Sequence, residues 1–329
     1  MPPVRAQQIV ELGGPSSLKL VDLPEPGPEH MLAPDGGVVV DVKAAGVSFP
    51  EVLQSRGEYQ LKPPLPFVPG AEVAGIVRTA PDGSDVQPGD RVAAMSMLGG
   101  FAEVAVAPPW LTFKLPDTLD FAQGAGLVLN YHTAWFSLKL RGRLEEGEWV
   151  LVHGAAGGVG TASLQVAKGL GAHTVAVVSS DEKERVAREA GADEVLRSDG
   201  PWKDQAKEVS GGGVDLVLDP VGGDRFTDSL RSLREEGRVV VVGFTGGSIP
   251  EVKVNRLLLN NTEVIGAGWG AYVMSKPQLN REIGVEIAAL IESGHVRPLV
   301  GARFPLDRAP EALELIDGRG ATGKVVLDL

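Results

Sequence analysis

The heptapeptide GAAGGVG at residues 154–160 follows the apolar run WVLV at 149–152 and precedes an amphipathic helical pattern. A strand, a glycine-rich turn and a helix in this order predict a pyrophosphate cradle, because a helix N-terminus offers free N–H groups and a positive dipole end. Read as A-x-G-x-x-G, the loop has its key positions at Ala155, Gly157 and Gly160. Glycine strings arise by chance in a chain with 43 glycines, but the flanking strand and helix favour nucleotide binding.

Strand-like and helix-like segments alternate from the glycine loop onward. Val159, Ala162 and Val166 recur at spacings of three and four, which predicts the helix face that packs on a sheet, and Gly171 ends that helix. Several of the predicted strands are continuously apolar, as expected of strands buried on both faces. These strands are 149–152, 174–178, 194–197, 214–218, 238–242 and 263–266. The alternation predicts an α/β fold with a doubly wound parallel sheet, a Rossmann domain.

The chain before residue 128 has a different character. Short β-rich segments such as VVVDVKAAGVS and AEVAGIVRTA are separated by KPPLPFVPG and VQPGD, which predicts an irregular antiparallel β domain. After the last parallel strand, helices at 276–293 and 307–316 and a strand at 324–327 do not extend the alternation. We therefore expect 1–127 to form the first part of one domain, 128–266 the Rossmann domain, and 267–329 a return to the first domain.

Composition limits the classes of function. A chain of 329 residues is long enough for two domains, and a net charge of −12 with a pI near 5.0 disfavours nucleic-acid and anionic membrane partners. The first residues lack the apolar core of a signal peptide, and no segment offers the ~18 apolar residues of a membrane span, so a cytoplasmic location is expected. The absence of cysteine excludes disulfides, thiolate nucleophiles and Cys-ligated zinc, and the five histidines form no local ligand pair.

Four motifs occur in a fixed order along the chain: PGAEVAGIVRTAPDGSDVQPGDRV, GGFAEVAVAP, LPDTLDFAQGAGL and VLVHGAAGGVGTASLQVAKGLGA. With these motifs the chain resembles the medium-chain dehydrogenase/reductase superfamily, and more narrowly its zinc-independent quinone oxidoreductase (zeta-crystallin-like) branch. The resemblance implies a GroES-like catalytic domain, a Rossmann domain and a cleft between them that holds NADPH. It also implies a homodimer or homotetramer built on the Rossmann domains.

Two positions distinguish the chain from the zinc-dependent alcohol dehydrogenases of that superfamily. Those enzymes carry Cys near the position of Ser48 and GHE where this chain has Gly70, Ala71 and Glu72, so the resemblance implies that neither metal-ligand position is a ligand here. Without a Lewis acid, the remaining chemistry is hydride addition to an acceptor that is already electrophilic, such as a quinone, an enone or an enoyl thioester.

The end of the second Rossmann strand bears on the choice between NADPH and NADH. An NAD-specific domain places an acid there to bind the ribose 2′-hydroxyl, whereas TVAVV is followed here by Ser179 and Ser180. Lys183, which aligns with a family lysine, and Arg197 supply positive charge for a 2′-phosphate and favour NADPH. The alternative is that Ser179 and Glu182 form a capping box and that Lys183 is solvated.

Ser48 and Tyr59 are the catalytic candidates, because hydride transfer to a conjugated acceptor needs a donor that stabilises or protonates the resulting oxyanion. Tyr59 falls where related reductases place a cleft tyrosine, with packing under the PPLP loop as the alternative. Ser48 stands where the branch commonly has Asn, and a serine donates over a shorter reach.

The resemblance places the segment NYHTAWF against the cofactor, with Thr133 near its carboxamide. The loops after the fourth and fifth strands are expected to line the nicotinamide side, because doubly wound sheets bind ligands at the carboxyl ends of their strands. Tyr131 and Trp269 are expected in the substrate pocket, with core or hinge packing as the alternative. The predicted cofactor-binding residues are Asn130, Thr133, Ala155, Ala156, Gly157, Gly158, Val159, Gly160, Ser179, Ser180, Lys183, Arg197, Gly243, Phe244 and Thr245.

The leading expectation is a metal-free NADPH:quinone oxidoreductase that acts on a small electrophilic acceptor. An enoyl thioester reductase is the closest alternative, but it needs basic residues for the phosphates of coenzyme A, and the sequence shows no basic patch. A structural or RNA-binding role for an NADPH-binding protein is the third, and the acidic net charge disfavours RNA.

Overall fold

The computed structural model describes residues 3–329 and divides them into two compact units. Unit 1 contains the described residues up to Leu129 together with Pro277–Arg281 and Pro298–Leu329. Unit 2 contains Asn130–Lys276 and Glu282–Arg297. Among residues 3–329, no helix has both the length and the apolar character needed to cross a bilayer.

The secondary structure alternates between strands and helices after an initial β-rich region. The strands are β1 (Val4–Ile9), β2 (Leu18–Leu23), β3 (Val38–Val47), β4 (Glu72–Thr79), β5 (Arg91–Met95), β6 (Val104–Ala107), β7 (Thr112–Lys114), β8 (Trp149–His153), β9 (His173–Val178), β10 (Glu194–Arg197), β11 (Val214–Asp219), β12 (Leu233–Val241), β13 (Glu263–Gly266), β14 (Val300–Pro305) and β15 (Lys324–Asp328). The helices are α1 (Phe49–Ser55), α2 (Phe121–Gly124), α3 (Val128–Trp135), α4 (Gly158–Gly169), α5 (Asp181–Glu189), α6 (Trp202–Val209), α7 (Phe226–Ser232), α8 (Asn255–Asn260), α9 (Trp269–Val273), α10 (Pro277–Glu292) and α11 (Ala309–Asp317).

Unit 2 is built on a six-stranded parallel sheet in the order β10-β9-β8-β11-β12-β13. This order is that of a Rossmann fold and confirms the predicted doubly wound parallel sheet. The strand order reverses between the neighbouring strands β8 and β11, and such folds bind ligands at that point. Val150, Leu151 and Val152 of the central strand β8 are fully buried, because helices cover both faces of a parallel sheet. β12 begins at Leu233 rather than at residue 238, because Leu233 already pairs with Val214 of β11 ahead of an irregularity in the register.

Unit 1 contains a seven-stranded sheet in the order β14-β15-β3-β4-β5-β7, with β6 paired to β3, and a separate β1-β2 hairpin. Its pairs are antiparallel except for β14 with β15. β15 pairs with the end of β3 through Val325 opposite Val47 and Val326 opposite Gly46. The carboxy-terminal strand therefore completes the sheet that the amino-terminal strands begin, and it brings Lys324 beside the end of β3.

The boundaries of the returning segment differ from those predicted. Residues 267–276 and Glu282–Arg297 belong to unit 2, whereas the predicted return to the first domain began at residue 267. The reason is that the end of α10 packs on α4. The Gln165 side-chain amide donates to the Arg297 carbonyl at 2.9 Å and its Oε1 accepts from the Arg297 N–H at 2.9 Å. A Cβ at Gly169 would meet Leu290 Cδ2 at 2.6 Å, so the two helices are in close contact.

Candidate nucleotide site and a buried polar cluster

The glycine loop between β8 and α4 uses its glycines for different purposes. Gly154 has φ +58° and makes the turn out of the strand. A Cβ at Gly160 would lie 2.2 Å from the Gly154 carbonyl oxygen and 2.7 Å from Ala155 Cα, so a glycine is needed for the helix to cross the loop this closely. Among the described residues, and apart from its two chain neighbours, only Gly154 O, at 3.4 Å, would lie within 4 Å of a Cβ at Gly157. Gly157 therefore presents an open backbone face, and Gly160 allows close packing.

The first turn of α4 fits the pyrophosphate of a dinucleotide. In the described part of the chain, no side chain caps this helix, whose N-cap is Gly157, so its first N–H groups are available to an anion. Ala155 and Ala156 of the loop are buried. The Asn130 amide lies against Gly158, where a Cβ would meet Nδ2 at 2.6 Å. Val159, the remaining predicted loop residue, is half-buried in the first turn.

The two predicted cations converge at the carboxyl end of β9, the neighbour of β8 in the sheet. Lys183 Nζ lies 3.4 Å from Ser179 Oγ, and Arg197 Nη2 donates to the Ser179 carbonyl at 3.0 Å. Arg197 also pairs with Asp181, whose side chain is 97% exposed. The N-cap of α5 is Ser180, which accepts from the Lys183 N–H at 3.3 Å, so the cap is not the Ser179 of the alternative capping box. Two cationic side chains therefore meet at the carboxyl end of β9, the strand end that faces the adenosine ribose in a dinucleotide-binding domain.

Three further predicted residues, Gly243, Phe244 and Thr245, lie just after β12, at the carboxyl edge of the sheet. The backbone N–H and the hydroxyl of Thr245 both donate to the Pro220 carbonyl, each at 3.1 Å. This pair of hydrogen bonds ties the loop after β12 to the loop after β11. Phe244 remains 37% exposed. The two loops therefore form one connected edge at the ligand-binding end of a doubly wound sheet.

The predicted pocket residues of unit 2 are buried. Tyr131 is 2% exposed, and its hydroxyl donates to Gln165 Oε1 at 2.7 Å. Trp269 is also 2% exposed and meets the His132 ring edge-on, with ring centroids 5.6 Å apart. Thr133 is 8% exposed. The Tyr131 hydroxyl is therefore engaged inside unit 2, and the assignment of Tyr131 and Trp269 to a substrate pocket stays a prediction.

A buried polar cluster in unit 1 contains two residues that the sequence did not single out as functional. Lys324 Nζ donates to Glu72 Oε2 at 2.9 Å and to Ser48 Oγ at 2.8 Å. The side chains of Lys324 and Glu72 are 3% and 0% exposed. The other carboxylate oxygen of Glu72 accepts from the Leu129 N–H at 2.9 Å. The predicted catalytic residue Ser48 therefore stands at the end of a buried ion pair.

A second carboxylate, Glu51, lies in the same region of unit 1. Its two oxygens accept from the backbone N–H groups of Ala71, at 2.9 Å, and Ser48, at 3.0 Å. Burial raises the pKa of Glu51 to about 7, against the opposing effect of Lys324. Burial, and after it the charge of Glu51, also raises the pKa of the half-buried Tyr59 phenol. Tyr59 is therefore a protonated hydrogen-bond donor at neutral pH.

Across residues 3–329, no group of three or more His, Cys, Asp or Glu side chains is arranged to hold a metal ion.

The chain is similar to known oxidoreductases over its whole length. It matches the family models "Alcohol dehydrogenase GroES-like domain" at residues 34–117 and "Zinc-binding dehydrogenase" at residues 158–283. It is 38% identical to quinone oxidoreductase-like protein 2 of Mus musculus, over 99% of this chain and 92% of the relative. A probable oxidoreductase from Mycobacterium abscessus is 41% identical with a TM-score of 0.89, over 99% of this chain and 100% of that one. The Thermus thermophilus quinone oxidoreductase, also solved in complex with NADPH, is 35% identical with a TM-score of 0.80 and the same coverage.

Proposed function

The chain belongs to the quinone oxidoreductase family of the medium-chain dehydrogenase/reductase superfamily, and on that premise we propose that it is a metal-free, NADPH-dependent reductase of quinones or similar conjugated carbonyls. The observation that carries the proposal is the convergence of Lys183 and Arg197 on Ser179 at the end of β9, beside the glycine loop. The names of the relatives support a quinone as the acceptor, and the Thermus thermophilus complex supports NADPH.

The residues of unit 2 suit the separate parts of NADPH, which supplies a hydride when it is bound. The first-turn N–H groups of α4 would bind the pyrophosphate, and the open face of Gly157 would let it approach. Lys183 and Arg197 would bind the 2′-phosphate. The present partner of Arg197, Asp181, is exposed, and an exposed ion pair contributes only ~0–1 kcal/mol. Exchanging that partner for a phosphate therefore costs little.

The residues of unit 1 suit an acceptor oxygen and disfavour a metal ion. Ser48 and Tyr59 would donate hydrogen bonds to the oxygen on which negative charge collects. The Lys324 ammonium already contacts both Ser48 and Glu72. A metal cation that bound the Glu72 carboxylate would have to break this buried ion pair, which is costly because it leaves the Lys324 ammonium buried without its partner. This cost supports chemistry without a metal.

Charge reversal at Lys183 tests the cofactor. We expect Lys183→Glu to raise the NADPH dissociation constant at least ~tenfold, about 1.4 kcal/mol, and to change NADH binding less than ~twofold. Arg185→Glu is the matched control: Arg185 is exposed on the same helix and lies about 200° around its axis from Lys183. Fluorescence titration with both cofactors measures the effect. Equal losses for NADPH and NADH would contradict the 2′-phosphate assignment.

NADPH oxidation with a panel of acceptors tests the reaction. The panel contains 1,4-benzoquinone, 9,10-phenanthrenequinone, an alkenal and crotonyl-CoA, each with and without a chelator. We expect turnover of the quinones that the chelator leaves unchanged. Turnover of crotonyl-CoA alone would support an enoyl thioester reductase. Tight NADPH binding without turnover of any acceptor would support a role other than catalysis.

A second copy of the chain is the partner we propose for the edge of the unit 2 sheet. β13 is the last strand of that sheet and, among the described strands, pairs with β12 alone. Leu258 and Leu259 of α8, just before this strand, are 77% and 76% exposed, and Val264 of β13 is 38% exposed. An open strand edge beside exposed leucines fits a two-fold interface in which β13 pairs with its copy.

Measurement of mass in solution tests this interface. We expect about twice the chain mass of 34.5 kDa for the wild type and the monomer mass for Leu258→Asp/Leu259→Asp. The control is Val285→Asp on α10, where Val285 is 69% exposed, and its mass should match that of the wild type. A monomeric wild type, or a doubly substituted variant that remains dimeric, would overturn the assignment.

A further inference from the structure

The hydrogen bonds among Ser48, Glu72 and Lys324, the buried polar cluster of unit 1, leave the Ser48 hydroxyl facing outward. An ammonium has three donors, and Lys324 gives one to Glu72 and one to Ser48. Glu72 accepts from Lys324 and from the Leu129 N–H, so each of its oxygens has a partner. Lys324 and Glu72 are sealed from solvent, whereas Ser48 is half-buried. Ser48 is therefore the member of this chain of contacts that reaches the surface of unit 1.

The contact with Lys324 decides what the Ser48 hydroxyl can do. A hydroxyl has one O–H donor, and the ammonium occupies an acceptor position on Ser48 Oγ, so the Ser48 proton must point away from Lys324. Within residues 3–329, no acceptor takes that proton. A hydrogen bond from a charged donor polarises the hydroxyl and strengthens the O–H as a donor in its turn. Ser48 is thus held ready to donate to a ligand.

The backbone around Lys324 is shaped for this contact. A Cβ at Gly46 would lie 2.1 Å from the Ala125 carbonyl oxygen, 2.6 Å from Lys324 Cε and 2.9 Å from Nζ, and a Cβ at Gly126 would lie 3.0 Å from Lys324 Cγ. Both glycines therefore leave room for the lysine side chain, and Gly46 also allows the close approach of the Ala125 backbone. Pairing of β15 with β3, through Val325 and Val47, fixes the origin of that side chain beside Ser48. The strand pairing fixes the backbone of Lys324, and the two glycines leave space for its side chain. The ammonium is therefore held at one position.

We infer that Lys324 is a positioning residue for the reaction: its ammonium, paired with Glu72, fixes the Ser48 hydroxyl as the hydrogen-bond donor to the acceptor's carbonyl oxygen. The inference rests on the proposed function and names the group that serves the acceptor. Negative charge grows on that oxygen as the conjugated system is reduced, so a donor aimed at it stabilises the transition state more than the ground state. Ser48 acts by hydrogen bonding and keeps its covalent bonds throughout.

Substitution of Ser48 measures the value of the donor. With NADPH and 1,4-benzoquinone, we expect Ser48→Ala to lower kcat ~10- to 100-fold, because loss of one oxyanion donor has effects of this order or larger. Its NADPH dissociation constant should change less than ~twofold, and its Tm should fall by ~1–8 °C, because Ser48 is the N-cap of α1 and an N-cap serine contributes ~0.5–2 kcal/mol. Ser48→Thr keeps the hydroxyl at an extended backbone position that suits a β-branched residue, and it should retain most of the wild-type kcat.

A double-mutant cycle tests whether Lys324 acts through Ser48. Lys324→Met alone would leave Glu72 buried without its counter-charge, so Lys324→Met/Glu72→Gln removes both charges together. We expect this variant to lose as much kcat as Ser48→Ala, and adding Ser48→Ala to it should cause no further loss. Glu72→Gln alone provides a second cycle if the doubly substituted variant does not fold. Its smaller loss of kcat should disappear in the Ser48→Ala background.

Two results would overturn the inference. One is wild-type kcat in Ser48→Ala. The other is losses that multiply in the cycle, which is what a purely structural ion pair would produce. A wild type that fails to bind NADPH or fails to reduce any acceptor would refute the proposed function instead, so the two failures are distinguishable.

Discussion

Gly157→Ala and Gly160→Ala each add one methyl group, three residues apart in the same loop, and the structure predicts different consequences. At Gly160 the new Cβ would lie 2.2 Å from the Gly154 carbonyl oxygen and 2.7 Å from Ala155 Cα. Both are backbone atoms, so α4 must move away from the loop to relieve the overlap. At Gly157 the new Cβ would meet Gly154 O at 3.4 Å, an ordinary contact, and the backbone φ of −83° suits alanine.

The sizes of the two effects follow from these contacts. Overpacking costs ~1–3 kcal/mol, and overlap with backbone places Gly160→Ala at the upper end, about 3 kcal/mol. At ~2–4 °C per kcal/mol for a unit of this size, the Tm should fall by about 6–12 °C. At Gly157, a gain of ~0.4–1 kcal/mol from reduced unfolded-state entropy is offset by a similar loss, because alanine is a poorer N-cap than glycine. The net change in stability is close to zero.

Thermal denaturation and NADPH titration separate the two variants. Gly157→Ala should keep its Tm within ~2 °C of the wild type and raise the NADPH dissociation constant at least ~tenfold, because the methyl group occupies the face through which a pyrophosphate approaches. Gly157→Val should bind NADPH more weakly still. Wild-type NADPH affinity in Gly157→Ala, or an unchanged Tm in Gly160→Ala, would refute the assignment of roles to these glycines.

Three further predictions concern buried ionisable groups. Arg238→Met leaves Glu148 without the partner 2.9 Å away and should cost about 3 kcal/mol in urea denaturation; a loss below ~1 kcal/mol would contradict a structural role. Burial lowers the pKa of His153 from 6.5 to about 3, so the neutral imidazole contributes fully to the free energy of unfolding above pH 6.5. This contribution is lost as the pH falls from 6.5 toward 3, because the unfolded state binds the proton first. The Tm measured from pH 7 to 4 should therefore fall more in the wild type than in His153→Gln. Burial raises the pKa of Glu51 from 4.5 to about 7, so the unfolded state releases its proton first and stability declines as the pH rises from 4.5 to 7. The Tm of the wild type relative to Glu51→Gln should decline over that range, and a rise would be inconsistent with the shift.

The Rossmann strands were predictable because their apolar runs and glycine breaks are local. The strand at Glu194–Arg197 and the strand at Glu263–Gly266 have the predicted bounds. The early start of β12 at Leu233 was missed, because LREEG carries no apolar pattern and pairs only where β11 lies beside it. The tail was divided incorrectly for a related reason. The attachment of α10 to α4 depends on contacts such as Gln165 with Arg297, which no local pattern reports.

The candidate site also has one part that a local sequence pattern predicts and one part that depends on contacts between distant residues. Arg197 is the last residue of β10 and Lys183 lies in the first turn of the helix after the neighbouring strand β9, so the parallel alternation brings both to the same edge of the sheet. Lys324 and Ser48 are 276 positions apart, and their contact depends on the pairing of β15 with β3. The sequence shows a lysine after TG near its end, but nothing in the sequence links that lysine to Ser48. The ion pair with Glu72 could be found only from the fold.

The acid that follows β9 illustrates how position changes the meaning of a residue. In an NAD-specific domain, an acid at the strand end accepts hydrogen bonds from the ribose hydroxyls. Here Asp181 comes after two serines and is the first residue of α5, and its carboxylate pairs with Arg197. The same Arg197 donates to the Ser179 carbonyl, so the acid helps to hold a cation at the strand end. A 2′-phosphate would have to take the place of Asp181 on Arg197, at the ~0–1 kcal/mol of an exposed ion pair, so an acid displaced from the strand end is compatible with the proposed NADPH site although it adds nothing to it.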